Sequence, residues 1–186
     1  MLRIIIIIIF IALNLYNPAL ASMREDIISK MQITNNLSFN FIQTVDDKSE
    51  NGNCTLKYPK KIYCEYDGAN KKIIVSNGKY LVIRTSNNGS YYIYPLNKTP
   101  LEYLLDKKYL ISKIRMLEPK DIDDKFLNFK IFENNNEINV FFDKKSLNLI
   151  GWQTEDIYQN LSVTFISSVK INEKINEKKF ILPENK

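Results

Sequence analysis

Histidine does not occur anywhere in the chain. Its absence removes the commonest general base and every catalytic triad built on an imidazole. Two cysteines with no imidazole to join them cannot complete a four-ligand metal shell. A phosphate-binding loop is missing too: the nearest approach is Gly78-Lys79, where Tyr80 follows instead of Ser or Thr and Ile73 stands in the place of the first glycine. Asp121, Asp123 and Asp124 lack the glycine and the closing glutamate of a calcium loop and read as a solvated or helix-starting run. No cofactor is implied, and the chain is read as a non-enzyme. The alternative is a hydrolase working through two converging carboxylates, because sequence spacing does not report neighbours in space.

Nor is there a basic stripe. The formal net charge is +5, but the lysines are strewn among Asn and Ile along the whole length. Such scatter describes a solvated surface and argues against nucleic acid as a partner. Internal repeats are absent.

What is present begins with Arg3, an apolar run over residues 4–15 and then Ala19-Leu20-Ala21. This is the pattern of a secretory signal peptide cut after Ala21. The run is shorter than the roughly 20 apolar residues of a spanning helix, and Ser22, not Cys, would follow the cut, so no thiol is offered for lipid attachment. The expectation is a signal over residues 1–21 and one domain over 22–186. An exported chain meets an oxidising compartment, where a cysteine pair becomes a disulfide. The stretch from Cys54 to Cys64 reads as two strands folding back at Pro59, which sets Leu56 opposite Ile62 and Cys54 opposite Cys64 on one face.

Ser22-Met23-Arg24-Glu25 is a candidate capping box, followed by Ile27, Ile28 and Met31 at helical spacing. From Leu37 the period becomes two through Phe39 and Phe41 towards Val45, and residues 46–52 look like a loop. Residues 73–75 and 80–83 flank Asn77-Gly78, the pair favoured by a type I′ hairpin; Asn87-Asn88-Gly89 then turns the chain into Tyr91-Tyr92-Ile93-Tyr94. Thr99-Pro100-Leu101-Glu102 predicts a helix with Thr99 as its cap, carrying Leu101, Leu104 and Leu105. Residues 107–124 suit helix or strand equally. Four further strands are expected over 126–132, 138–142, 147–152 and 161–169, with a short edge at 180–182. Tyr91, Tyr92, Tyr94 and Trp152 are read as strand packing, with a ligand platform as the alternative. The fold class is α+β: a curled antiparallel sheet forming an unclosed half-barrel, with a lid of two to three helices.

The order of these motifs resembles the LolA family of outer-membrane lipoprotein carriers. Phe41-Ile42-Gln43 is similar to the family's F-x-Q, and Leu56-Lys57-Tyr58-Pro59 to its strand running into x-P. Ile74-Val75-Ser76-Asn77-Gly78-Lys79 resembles its I-V-S-D-G-K hairpin, Thr99-Pro100-Leu101 with Leu104-Leu105 its T-P-x-x-x-L helix start, and Phe180-Ile181-Leu182-Pro183 its terminal F-x-x-P. The resemblance implies a periplasmic chaperone whose apolar interior takes the acyl chains of lipoproteins. An inner-membrane Lol ABC transporter would load it and the outer-membrane receptor LolB would accept the cargo. It further implies a lid latch at the residue before the proline, commonly Arg in the family and here Tyr58.

LolB itself is a lipoprotein, against which Ser22 speaks; the RseB-type sensor carries an additional C-terminal domain for which this chain is too short. A monomer is expected. The cavity is placed among Leu37, Phe39, Phe41, Leu56, Ile62, Ile74, Leu81, Leu101, Leu104, Leu105, Phe142, Trp152 and Phe165; an ordinary filled core is the competing account for about half of them. A periplasmic binding protein for another lipid or apolar ligand is the alternative function.

Overall fold

The computed structural model describes residues 18–86, 89–134, 136–155 and 160–185. The basic start and apolar run of the expected signal peptide, the Asn87-Asn88 part of one predicted turn, Asn135 of another, and 156–159 lie outside the described residues. Among those described, no helix is long and apolar enough to cross a membrane.

Helix α1 (Pro18–Ile33) leads into strands β1 (Asn36–Val45), β2 (Lys48–Lys57), β3 (Lys61–Tyr66), β4 (Ile73–Asn77), β5 (Tyr80–Arg84) and β6 (Tyr91–Pro95). Helices α2 (Leu101–Leu105) and α3 (Lys107–Met116) follow, and then β7 (Lys120–Ile122), β8 (Phe126–Glu133), β9 (Asn136–Asp143), β10 (Leu149–Glu155) and β11 (Leu161–Ile171). All eleven strands form one sheet in the order β6-β5-β4-β3-β2-β1-β11-β10-β9-β8-β7. Every pairing is antiparallel, and β6 and β7 stand at the two edges without meeting. The sheet is therefore unclosed, as expected. Its middle is the β1–β11 pair, which joins the two ends of the sequence.

Alternation decides which side chains face inward. Leu37, Phe39 and Phe41 of β1 are buried with Leu56, Ile62 and Leu105 in one cluster. A second cluster joins Ile27 and Ile28 of α1 and Leu110 and Ile114 of α3 to Leu127, Phe129, Ile131, Val140 and Phe142 of β8 and β9. Burying each of these large apolar side chains stabilises the fold by about 1.5–3 kcal/mol. Leu101, Leu149 and Trp152 pack against both clusters. Gly151 sits where the backbone of β11 comes so close that a Cβ would lie 2.4 Å from the Thr164 carbonyl oxygen, so no other residue fits there without a backbone shift.

Several local expectations are corrected. α1 runs straight through Ser22, so the capping box does not form: Ala19, Leu20 and Ala21 are helix formers and continue the helix upstream. The expected 46–52 loop is mostly strand, because β2 pairs with β1 as far as Lys48 opposite Val45 and only Asp46 and Asp47 turn. In the β4–β5 hairpin Ser76 lies opposite Leu81 and positive φ falls on Gly78, at 97°, while Asn77 has none. A type I′ pair at Asn77-Gly78 is thereby excluded; Asn77 instead accepts hydrogen bonds from the Lys79 and Tyr80 amides. Thr99 donates its hydroxyl to the Leu96 carbonyl, 2.9 Å away, closing the preceding 3₁₀ turn and not capping α2. The undecided 107–124 stretch splits into α3, capped by Asp106 at the Tyr109 amide, and the short β7. Phe180 ends a 3₁₀ turn packed on the outer side of β3 and β4, not an edge strand, because its ring is buried there.

The Cys54–Cys64 bridge is formed, between residues directly opposite on β2 and β3, with Leu56 opposite Ile62. Replacing both cysteines by serine should lower the stability of the oxidised protein by roughly 3 kcal/mol, the loop-entropy value for so short a ring. Urea unfolding with and without reductant measures it. A wild type indifferent to reductant would contradict the assignment.

Candidate functional site

A cavity of about 410 Å³ opens on the concave side between α2 and the sheet. Ile74 of β4 and Trp152 of β10 both reach it although four strands of the sheet lie between theirs, which requires the sheet to curl. The lining follows from register. Leu81 lies opposite Tyr94 and Ile83 opposite Tyr92, so once Leu81 points inward all four do, and all four line the cavity. Leu101 and Leu104 of α2 form its roof. Its size lies within the roughly 300–1,000 Å³ of small-molecule sites.

Several polar side chains of this wall are bonded to one another. The Tyr66 hydroxyl donates to Gln43 Oε1 at 2.7 Å, and the Gln43 amide donates to Ser162 Oγ at 3.2 Å and Thr164 Oγ1 at 3.5 Å. This chain of bonds stitches β3 to β1 to β11 within the cavity wall. Burial pushes the Tyr66 phenol well above its ordinary pKa, so it remains a neutral donor at any physiological pH. At the rim Lys72 pairs with Glu50 and lies 3.8 Å from the Tyr66 ring centroid. No group of three or more His, Cys, Asp or Glu that could hold a metal occurs among the described residues.

Of the thirteen residues placed in the cavity by sequence, Ile74, Leu81, Leu101, Leu104 and Trp152 line it. Leu56, Ile62 and Leu105 surround a narrow void of about 10 Å³ behind it. Leu37 and Phe142 line a third space, about 40 Å³, next to the end of α1. Phe39 and Phe41 are packed core: Phe39 stands edge-on to Trp152 and Phe41 edge-on to Tyr66. Phe165 is a correction. It lies on the outer face opposite Ile42 and is 54% exposed, because the inward phase of β11 belongs to Ser162, Thr164 and Ile166. Tyr92 and Tyr94 belong to the cavity wall, which the packing account of the tyrosines missed; Tyr91, one residue out of phase, does not.

Tyr58 does not stand at the mouth. It lines the third space with Leu110 of α3, and the Lys107 ammonium sits 5.7 Å from its ring centroid. Burial raises its pKa as well. The tie between sheet and lid is made two residues on. Lys60 Nζ lies 2.9 Å from Glu102 Oε1 on α2 and 3.4 Å from Asp106 Oδ2 at the start of α3. Its backbone is held too: the Lys60 amide donates to the Leu105 carbonyl at 2.8 Å, and Ser76 Oγ donates to the Lys60 carbonyl at 2.9 Å. These bonds hold Lys60 at a φ of 65°, sparsely populated for a non-glycine residue. The hydrogen bond to Glu102 holds the ammonium above its usual pKa, so this tie is complete below the ordinary lysine value and is lost only as pH rises through the elevated one. No sequence signal marks Lys60, since Glu102 is 42 residues away.

Comparison with known proteins gives a family. A model described as outer membrane lipoprotein carrier protein LolA matches residues 32–182. Among curated proteins none matches the sequence. Among solved structures, an uncharacterised conserved protein from Thermus thermophilus superposes with a TM-score of 0.52 at 8% identity, over 88% of this chain and 94% of that one. A LolA superfamily protein from Nitrosomonas europaea gives 0.47 at 10% identity, over 88% and 97%.

Replacing Lys60 by Met should leave the fold intact and speed amide exchange in α2 roughly fivefold at neutral pH, the worth of a partly exposed ion pair. Exchange mass spectrometry on the 101–105 segment, with α1 as internal reference, tests this; unchanged protection of α2 would show that the lid is held elsewhere.

Proposed function

The chain belongs to the LolA family, and from that premise we propose that it is a periplasmic carrier that takes the acyl chains of lipoproteins into the cavity beneath α2 and passes them towards the outer membrane. The observation that carries this reading is the apolar, partly roofed cavity between a curled sheet and a helix tied down by one ion-pair cluster. A wall built from Ile74, Leu81, Ile83, Leu101, Leu104 and Trp152, in which Tyr66, Gln43 and Ser162 bond to one another, offers an occupant mainly dispersion and desolvation, which suits a hydrocarbon chain. The signal-like start and the disulfide support export to an oxidising compartment, with cleavage after Ala21.

Energetics assign the partners. Burying acyl chain is worth about 0.8 kcal/mol per methylene, so a multiply acylated lipoprotein is held in a bilayer by tens of kcal/mol. A carrier with a comparable interior brings transfer near to balance and no further. The sequence has no phosphate-binding loop with which to drive it, Gly78-Lys79 being the tip of the β4–β5 hairpin. Loading is therefore the work of an ATP-driven inner-membrane transporter of the Lol type, and unloading that of an outer-membrane receptor such as LolB.

Incubating the purified protein with lipoprotein-bearing inner-membrane vesicles should give soluble complex only when ATP and the transporter are both present. Release without either would defeat the passive-carrier reading. No release under any condition, with bound lipid of another class on mass spectrometry, would favour the second reading, a carrier of another apolar ligand.

Tyr58, at the position of the family's arginine, lines the space beside α3 and presents a phenol in place of a guanidinium, which would bind bidentately and stay charged. Tyr58→Arg should accordingly slow the release of a bound apolar fluorophore by severalfold in stopped-flow exchange; release at the wild-type rate or faster would leave the lid to Lys60 alone.

A further inference from the structure

Three spaces inside the molecule lie in series. The cavity under α2 and the narrow void behind it share Leu101, Leu104 and Trp152 as a common wall. That void shares Leu110 and Leu149 with the third space, which continues to Tyr58, Phe142 and Val169. The side chains between them are mostly leucines, and Leu149 and Trp152 are only half-buried, so rotamer changes at two or three positions would join the spaces. Close-packed interiors rarely leave adjoining apolar gaps. A bulky ring-shaped ligand would have no use for a succession of narrow spaces, whereas an unbranched chain would.

We infer that the three spaces form one path for a single linear acyl chain, entered beneath α2, narrowed at Leu104, Leu149 and Trp152, and ended by the chamber at Tyr58 and Val169, which sets the longest chain accepted. This rests on the lipid-binding reading and adds a specificity to it. The terminal methyl would lie against Val169 and Phe142, far from the mouth. The wall of that chamber is mostly apolar, with Lys30, Thr34 and Asn148 as its polar members; the Lys30 ammonium donates to the Ser146 carbonyl at 2.7 Å in an exposed bond, whereas Asn148 Oδ1 is buried without a partner among the described residues. A chain ending against Val169 and Phe142 meets hydrocarbon there, with the charge of Lys30 left at the solvent side.

The chain's only tryptophan, Trp152, stands at the narrowing, so its fluorescence reports occupancy. Titration with monoacylglycerols of increasing chain length should show affinity rising about fourfold per methylene until the path is filled, and then no further. Val169→Phe, which fills the end chamber without touching the mouth, should move that break to shorter chains and leave the affinity for the shortest unchanged. Leu149→Phe should do so more strongly, and Val169→Ala should move the break to longer chains. The three variants are compared at equal thermal stability, and the enlarging one keeps the test open if a filling one misfolds. Shifts of the break in these directions support the path. Binding by the wild type with the same length profile in all variants overturns it and leaves the lipid-binding reading standing. Failure of the wild type to bind any member of the series overturns both.

Discussion

An antiparallel sheet of eleven strands that does not close leaves one concave apolar face to be kept from water, and the rest of the molecule depends on how that face is covered. Among the described residues, the helices α1 and α3 lie over the β8–β9 half, where Ile27, Ile28, Leu110 and Ile114 meet Leu127, Phe129 and Val140. Of the described residues, the opposite half receives Leu96, the five-residue α2 and the turn at Lys60. Coverage is thus unequal, and the cavity lies where it is thinnest. A filled core and an open cavity are parts of the same concave surface, divided by how far the helices reach.

That division accounts for the two kinds of residue in the interior. Phe39 and Phe41 are spent in edge-to-face contacts with Trp152 and Tyr66, whereas Ile74, Leu81, Tyr92 and Tyr94 face a roof that does not reach them. The Tyr66–Gln43–Ser162/Thr164 bonds hold β3, β1 and β11 together beneath that open region, where apolar packing is incomplete. The lid is attached through a charged cluster and one backbone bond at Lys60. Ion pairs of this exposure contribute little to stability, so α2 is only weakly attached to the sheet.

Much of the architecture was legible because its signals are local. The period of two through Leu37, Phe39 and Phe41, the pairing of Cys54 with Cys64 about Pro59, and the helix after Thr99-Pro100 each depend on residues within about ten positions. Where local cues failed, a longer-range preference had prevailed. Residues 48–52 look like loop by composition but are drawn into the sheet by pairing with β1, and β3 joins them only at Gly52. Phe180 has the look of a strand residue but is captured as an isolated anchor on the outer face of β3 and β4. The inward phase of β11 was misread at Phe165 because apolar residues occupy both faces of that strand, and alternation then gives no phase until the partner strand is known.

By itself the sequence determined the chemistry that is excluded, the α+β class, the hairpin disulfide and the membership signals from Phe41-Ile42-Gln43 to Phe180-Ile181-Leu182-Pro183, because these rest on residue identity and short spacing. The tertiary structure alone decided that Lys60 and not Tyr58 meets Glu102 and Asp106, that Tyr92 and Tyr94 face the cavity, and that the interior spaces lie in series. Each of these is set by the pairing of strands and helices tens of residues apart, and contacts closed over such distances leave no periodicity in the chain to read.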